Sequence, residues 1–156
     1  MKTSDFTGLS EVTKVVNALQ QLLADYQVFY TNLRGFHWNI KGKDFFVLHS
    51  EYEKLYENVS EKADEIAERI LMLGKTPVHN FSEYLKVSKI KETGVVSVGE
   101  EGLVQVLDSL KYFIGSERAA LTVADEAGDE ATAAMMSDYI REQEKLVWML
   151  VAYKSE

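Results

Sequence analysis

The chain has no cysteine, a single proline and nine glycines among its 156 residues. Without cysteine there is no disulfide framework, no thiol catalysis and no sulfur-ligated zinc or iron–sulfur centre. β-rich and loop-rich folds need turn punctuation in quantity, so this scarcity of proline and glycine points to long helices. Long apolar runs are missing too. None approaches the ~20 residues of a membrane-spanning helix, and the start lacks the basic lead and apolar stretch of a secretory signal. A cytoplasmic protein with no membrane contact is expected. Positive charge is the minority sign, with 17 Lys+Arg against 25 Asp+Glu and a formal net charge of -8. Bulk charge therefore does not draw the nucleic-acid backbone, although a local basic patch stays open. What is present is a 46% hydrophobic composition. That suits a single domain over 1–156 with its own core and a short N-terminal tail at 1–9.

Apolar residues recur at Val12, Val15, Val16, Leu19, Leu22, Leu23, Tyr26, Tyr30 and Leu33, the rhythm of an amphipathic helix over 11–39. The segment Asn39-Ile-Lys-Gly-Lys-Asp44 reads as a turn with Asp44 as an N-cap. A second helix is expected over about 45–73, stopping at Gly74. The stretch 75–94 contains Pro77 and has room for one short helix near 82–86. Ser97-Val-Gly-Glu100 matches a capping box and opens a third helix that ends near Gly128. A fourth is expected over about 129–153, with Met136, Tyr139, Ile140, Leu146, Val147, Leu150 and Val151 facing inwards. Four helices of roughly 25 residues, with a connection of roughly 20 in the middle, predict a four-helix bundle whose long connection crosses its length.

The second helix carries polar residues in an unusual place. At about 100° per residue, Leu48, Tyr52, Leu55, Tyr56, Val59, Ala63, Ile66 and Ile70 form a core face. Glu51, Lys54, Asn58, Glu61, Lys62, Glu65 and Arg69 form a solvated far side, and between the two a flank holds His49, Glu53, Asp64 and Glu68 with Phe46 and Leu71. Charged flanks are common on amphipathic helices. An inward histidine such as His37, seven residues past Tyr30, is more often a hydrogen-bonded core residue than a ligand. The two together, without sulfur, make a constellation suited to iron, manganese or zinc rather than copper(I). His49 and Asp64 are 15 residues apart, about 22 Å along a helix, so one ion cannot touch both in one straight helix. No Glu-x-x-His occurs, the motif that builds di-iron sites inside one bundle. Yet the pairs 49/68 and 53/64 share the midpoint 58.5. Crossing this helix antiparallel with its own copy near Asn58 and Val59 sets His49 opposite Glu68 of the partner subunit, and Glu53 opposite Asp64 of the partner subunit. A two-fold dimer would thus generate two identical intersubunit metal sites.

Over nearly its whole length the chain resembles the Dps family of mini-ferritins (DNA-binding proteins from starved cells). The resemblance lies in Gly35-Phe-His-Trp-Asn39, Phe45-Phe-Val-Leu-His49 and Asp64-Glu-Ile-Ala-Glu-Arg69, and again in Leu73-Gly-Lys-Thr-Pro77, Gly128-Asp129 and Lys145-Leu-Val-Trp-Met-Leu150. It implies an all-α, ferritin-like four-helix bundle with a long crossover connection and a short helix within it. It further implies a hollow homo-dodecamer built on two-fold dimers. Such a shell would act as a ferroxidase, oxidising Fe²⁺ to Fe³⁺ with hydrogen peroxide, storing ferric mineral and protecting against oxidative stress. Zn²⁺ or Mn²⁺ would be substitute ions. By the same resemblance His37 and His49 are ferroxidase ligands from one subunit, and Asp64 and Glu68 are those of its two-fold partner. Glu53 stands where the family commonly has Asp, and its longer reach alters what it can do at a second iron. Trp38 resembles the tryptophan that lies against this centre and takes up stray oxidising equivalents; simple packing is the other reading. His79 falls outside the pattern, in the long connection.

The family's name suggests DNA, and a DNA-protecting nucleoid protein is the alternative function. Members that coat DNA commonly use a Lys/Arg-rich terminal extension, whereas Met1-Lys-Thr-Ser-Asp-Phe-Thr-Gly-Leu-Ser10 has one lysine and one aspartate. Twelve copies at -8 each carry about -96, which repels phosphate. DNA binding is expected to be weak or absent. Asp129 and Glu130 match a region that lines iron-entry pores in the family; acidic residues opening a helix also complement its dipole. A four-helix scaffold without metal chemistry is the remaining alternative, and the coincident midpoints count against it.

Overall fold

A computed structural model describes residues 1–155. It contains α1 (Ser4–Thr7), α2 (Thr13–Asn39), α3 (Phe45–Met72), α4 (Phe81–Val87), α5 (Gly99–Glu126) and α6 (Glu130–Lys154), and no strand among the described residues. The expected tail holds the single exposed turn of α1. No described helix is long and apolar enough to cross a membrane.

The four long helices bury the stripes their spacing predicts: Leu19, Leu22, Leu23 and Leu33 from α2, Leu48, Ile66 and Ile70 from α3, Val106, Leu110 and Phe113 from α5, and Met136 and Leu150 from α6. Val151, expected inward, is 48% exposed, because it lies one residue past Leu150 on a face turned out of the bundle. α3 stops where Gly74 takes φ 79°, and the amides of Gly74 and Lys75 return to the carbonyls of Leu71 and Ile70.

α2 is the rail for the crossover. Gln20 bonds Thr76 O and Val78 N–H, and Gln21 donates to Val87 O. The buried Asp25 accepts from the Ser88 hydroxyl, the Lys89 amide and the Tyr112 hydroxyl. Asn32 bonds Lys91 O and Thr93 N–H, and the Lys41 amide reaches Ser97 O. Polar side chains along α2 thus satisfy backbone groups of the connection on both sides of α4 and at its end. The connection runs from the N-terminal half of α2 to beyond its C-terminus, so α5 starts beside the start of α3. That is the predicted ferritin-like crossover.

Three local expectations are corrected. The capping box does not form: with Ser97 O held by Lys41, α5 starts at Gly99 with Val98 as N-cap and no side-chain cap. Asp44 does occupy the N-cap of α3, but its side chain makes no cap bond and accepts instead from the Tyr153 hydroxyl on α6. The far side of α3 is only partly solvated, because it faces α6. Lys62 is buried at 4% exposure, bonded to Asn58 and Glu142, and Arg69 pairs with Asp129.

Candidate metal centre

His37 lies in the last turn of α2 and His49 in the second turn of α3, and the turn at 40–44 folds one onto the other. Their rings stack at 3.8 Å between centroids, 15° from parallel. His37 Nδ1 is 2.6 Å from His49 O, and His49 Nδ1 is 2.7 Å from His37 O. Carbonyls only accept, so each Nδ1 carries the proton and donates it. In the neutral ring each Nε2 is then a free lone pair, the tautomer a metal ligand needs, with its orientation fixed by the second nitrogen. The helix end makes this possible. The Lys41 amide, four residues on, goes to Ser97 instead, so the His37 carbonyl is open to His49.

Aromatic rings hold the pair in place. Phe45 stacks on His49 at 5.0 Å and Tyr56 meets His37 edge-on at 5.4 Å. His37 is buried and His49 half-buried. Trp38 is 62% exposed, with the Arg34 guanidinium 4.5 Å from its ring centroid, so it does not pack into the core of its own subunit.

The carboxylates do not join the histidines within the chain. Glu53, one turn beyond His49, is exposed, and so are Asp64 and Glu68 farther along the same flank. Among the described residues no three His, Asp or Glu side chains converge on one point. The flank is apolar at its ends: Phe46 is 84% and Leu71 54% exposed. Positions 46 and 71 also have their midpoint at 58.5, so an antiparallel crossing of two copies that paired His49 with Glu68 would pair these two apolar side chains as well. Two exposed hydrophobes and four metal-capable residues are thus symmetric about one point of α3.

Asp129 is not free for a pore. Only 2% exposed, it caps α6 through the Thr132 amide at 3.0 Å, accepts from the Thr132 hydroxyl and pairs with Arg69 at 2.6 Å. Glu130 and His79 are exposed.

A second polar group, unforeseen from the sequence, lies in the core. The Tyr26 hydroxyl donates to Glu117 Oε1, and Gln143 Nε2 donates to both, at 2.6 Å to the phenol and 3.0 Å to the carboxylate. Glu117 Oε2 and Gln143 Oε1 are buried without partners. Burial pushes the Glu117 carboxyl up to about 7, against the opposing pull of the Tyr26 and Gln143 hydrogen bonds and of Lys62. Tyr26 and Gln143 also line a cavity of about 270 Å³ bordered by Val59, Lys62 and Glu142.

A ferritin-like domain model matches residues 16–155. Over 157 aligned residues the chain is 52% identical to the DNA protection during starvation protein of Porphyromonas gingivalis, covering 99% of each. The crystal structure of a Dps protein from Vibrio cholerae O1, described as a member of a broad superfamily of ferritin-like diiron-carboxylate proteins, superposes with a TM-score of 0.89. It is 51% identical, over 91% of this chain and 89% of that one. Dps from Staphylococcus aureus gives a TM-score of 0.90 at 33% identity, over 95% and 99% of the two chains.

Proposed function

Because the chain belongs to the Dps family of ferritin-like proteins, we propose that it is a ferroxidase that oxidises Fe²⁺ with hydrogen peroxide at intersubunit sites. The ferric product is stored in a hollow shell of twelve copies built on two-fold dimers. The observation that carries this reading is the reciprocal histidine pair, which presents two Nε2 lone pairs at the edge of a flank no single chain completes. His37 and His49 of one subunit, with Asp64 and Glu68 of the partner subunit, form the ligand set; Glu53, exposed one turn beyond His49, is a further carboxylate beside it.

The donor set suits the chemistry. Carboxylates stabilise Fe³⁺ more than Fe²⁺, and so few protein ligands leave positions for peroxide and water. Two Fe²⁺ ions supply the two electrons that, with two protons, take hydrogen peroxide to two waters, so no hydroxyl radical is released. Zn²⁺ and Mn²⁺, which accept the same nitrogen and oxygen donors, would compete for the site.

Stopped-flow absorbance tests this directly. Fe²⁺ added anaerobically and followed by peroxide gives a fast ferric rise in the wild type and a slow one in His37→Ala/His49→Ala. Equal rates would refute the assignment.

A further inference from the structure

The side of the bundle between α3 and α6 is its open one. α3 packs closely along α2, and α6 along α5, whereas α3 and α6 stand farther apart. Side chains bridge them over part of their length: Asn58 and Lys62 donate to Glu142, Tyr139 donates to Glu65, and Arg69 pairs with Asp129. Beside Lys54 and Met149 no hydrogen bond or ion pair joins the two helices among the described residues. There the bundle opens into the cavity of about 270 Å³ that reaches down to Tyr26 and Gln143.

The walls of this cavity are apolar, supplied by Phe29, Leu55, Val59, Leu110, Leu146 and Met149. At its floor the polar atoms of Tyr26 and Gln143 are turned into the core. The phenol donates to Glu117, the amide nitrogen of Gln143 donates to both, and Gln143 Oε1 is buried as well. A dry cavity of about 150 Å³ takes up benzene, so an apolar space of this size has room for roughly ten non-hydrogen atoms and little hold on water. The Phe29 ring and the Met149 thioether suit an aromatic occupant.

The mouth has a different character. Lys54, Lys62 and Lys145 line it with a single carboxylate, Glu142, in a chain of formal net charge -8. Both oxygens of Glu142 are engaged, Oε1 by Asn58 at 2.7 Å and Oε2 by the buried Lys62 at 2.9 Å. Lys145 enters no ion pair among the described residues, and Lys54 has only an exposed contact with Glu51 at 3.3 Å. Two ammonium groups over an apolar well complement an anion with an apolar body. At about 100° per residue, Lys54, Asn58 and Lys62 lie on a different side of α3 from His49, Glu53, Asp64 and Glu68. The crossing that would build the iron site therefore leaves the mouth uncovered.

We propose that this cavity is a binding site for an aryl carboxylate with one ring and a short side chain. The ring lies among Leu55, Leu146 and Met149, and the carboxylate sits between Lys54 and Lys145. The site is separate from the iron chemistry and does not rest on the ferroxidase reading.

The test titrates the metal-free assembled protein calorimetrically with 3-phenylpropionate, and with the neutral 3-phenylpropan-1-ol as the control for charge. The wild type should bind the acid saturably, one molecule per chain, and roughly tenfold more tightly than the alcohol. Lys54→Met/Lys145→Met keeps the apolar stems and removes both charges, so the acid should lose that advantage while the alcohol binds as before. Leu146→Trp, which fills the cavity, should bind neither. Far-UV circular dichroism confirms that the variants are folded. No saturable binding of the acid by the wild type overturns the proposal. So does an acid that binds no better than the alcohol, an advantage that survives the loss of both lysines, or unchanged binding in Leu146→Trp.

Discussion

Replacing Glu117 with glutamine should change the pH dependence of stability more than its absolute value. The carboxyl releases its proton near 4.5 when unfolded and near 7 when buried. Between those values folding takes up a proton, so each pH unit upward removes about 1.4 kcal/mol of stability. Below the unfolded value both states are protonated, and above the folded value neither is, so the slope vanishes at both ends. The stability is present at low pH and lost as pH rises through the folded value, about 3 kcal/mol in all. Glutamine has the same shape and no charge. Unfolding free energies from urea titrations of the metal-free protein, at fixed protein concentration from about pH 5 to about pH 8, should therefore move towards Glu117→Gln by about 2.5 kcal/mol over that window, with the change complete shortly above pH 7. The other titrating groups are common to both proteins and cancel in the difference. Parallel profiles would refute the reasoning, since they would mean that the carboxyl does not bear the desolvation its burial implies.

Two further outcomes are expected. Asp129→Ala removes the cap of α6 and leaves Arg69, whose side chain is 15% exposed, without its partner; a loss of about 3–5 kcal/mol is expected in urea unfolding. Asp129→Asn keeps the cap and should lose less. In a gel-shift titration at about 150 mM salt without divalent metal, DNA should migrate unretarded, because a chain of formal net charge -8 repels phosphate. A retarded band would favour the nucleoid reading.

Much of the fold was legible because apolar spacing and a handful of turn residues locate each long helix, with Gly74 and Gly128 just beyond two of their ends. The misjudged positions are polar residues on apolar spacing. Glu117 stands four past Phe113 and Gln143 four past Tyr139, core positions that a search for hydrophobes passes over. Asp25 and Lys62 are buried for the same kind of reason: each has partners supplied by another segment, the crossover for Asp25 and Glu142 of α6 for Lys62. The candidate site divides likewise. The inward turn of His37 followed from its spacing, and its contact with His49 needed only the short turn between two helices. Asp64 and Glu68 could not be placed beside them within one chain, and in the structure they are not. The matching midpoints and the family resemblance are what set them opposite the histidines of a second copy.

Co-assembly of two inactive variants tests the shared site most directly. His37→Ala/His49→Ala lacks one half of each proposed site, and Asp64→Ala/Glu68→Ala lacks the other. If the halves come from different subunits, a mixed dimer holds one complete site. Random co-assembly in equal amounts then restores about a quarter of the wild-type sites, read as peroxide-dependent ferric absorbance. If each subunit carries its own site, mixing restores none, and the intersubunit centre is contradicted.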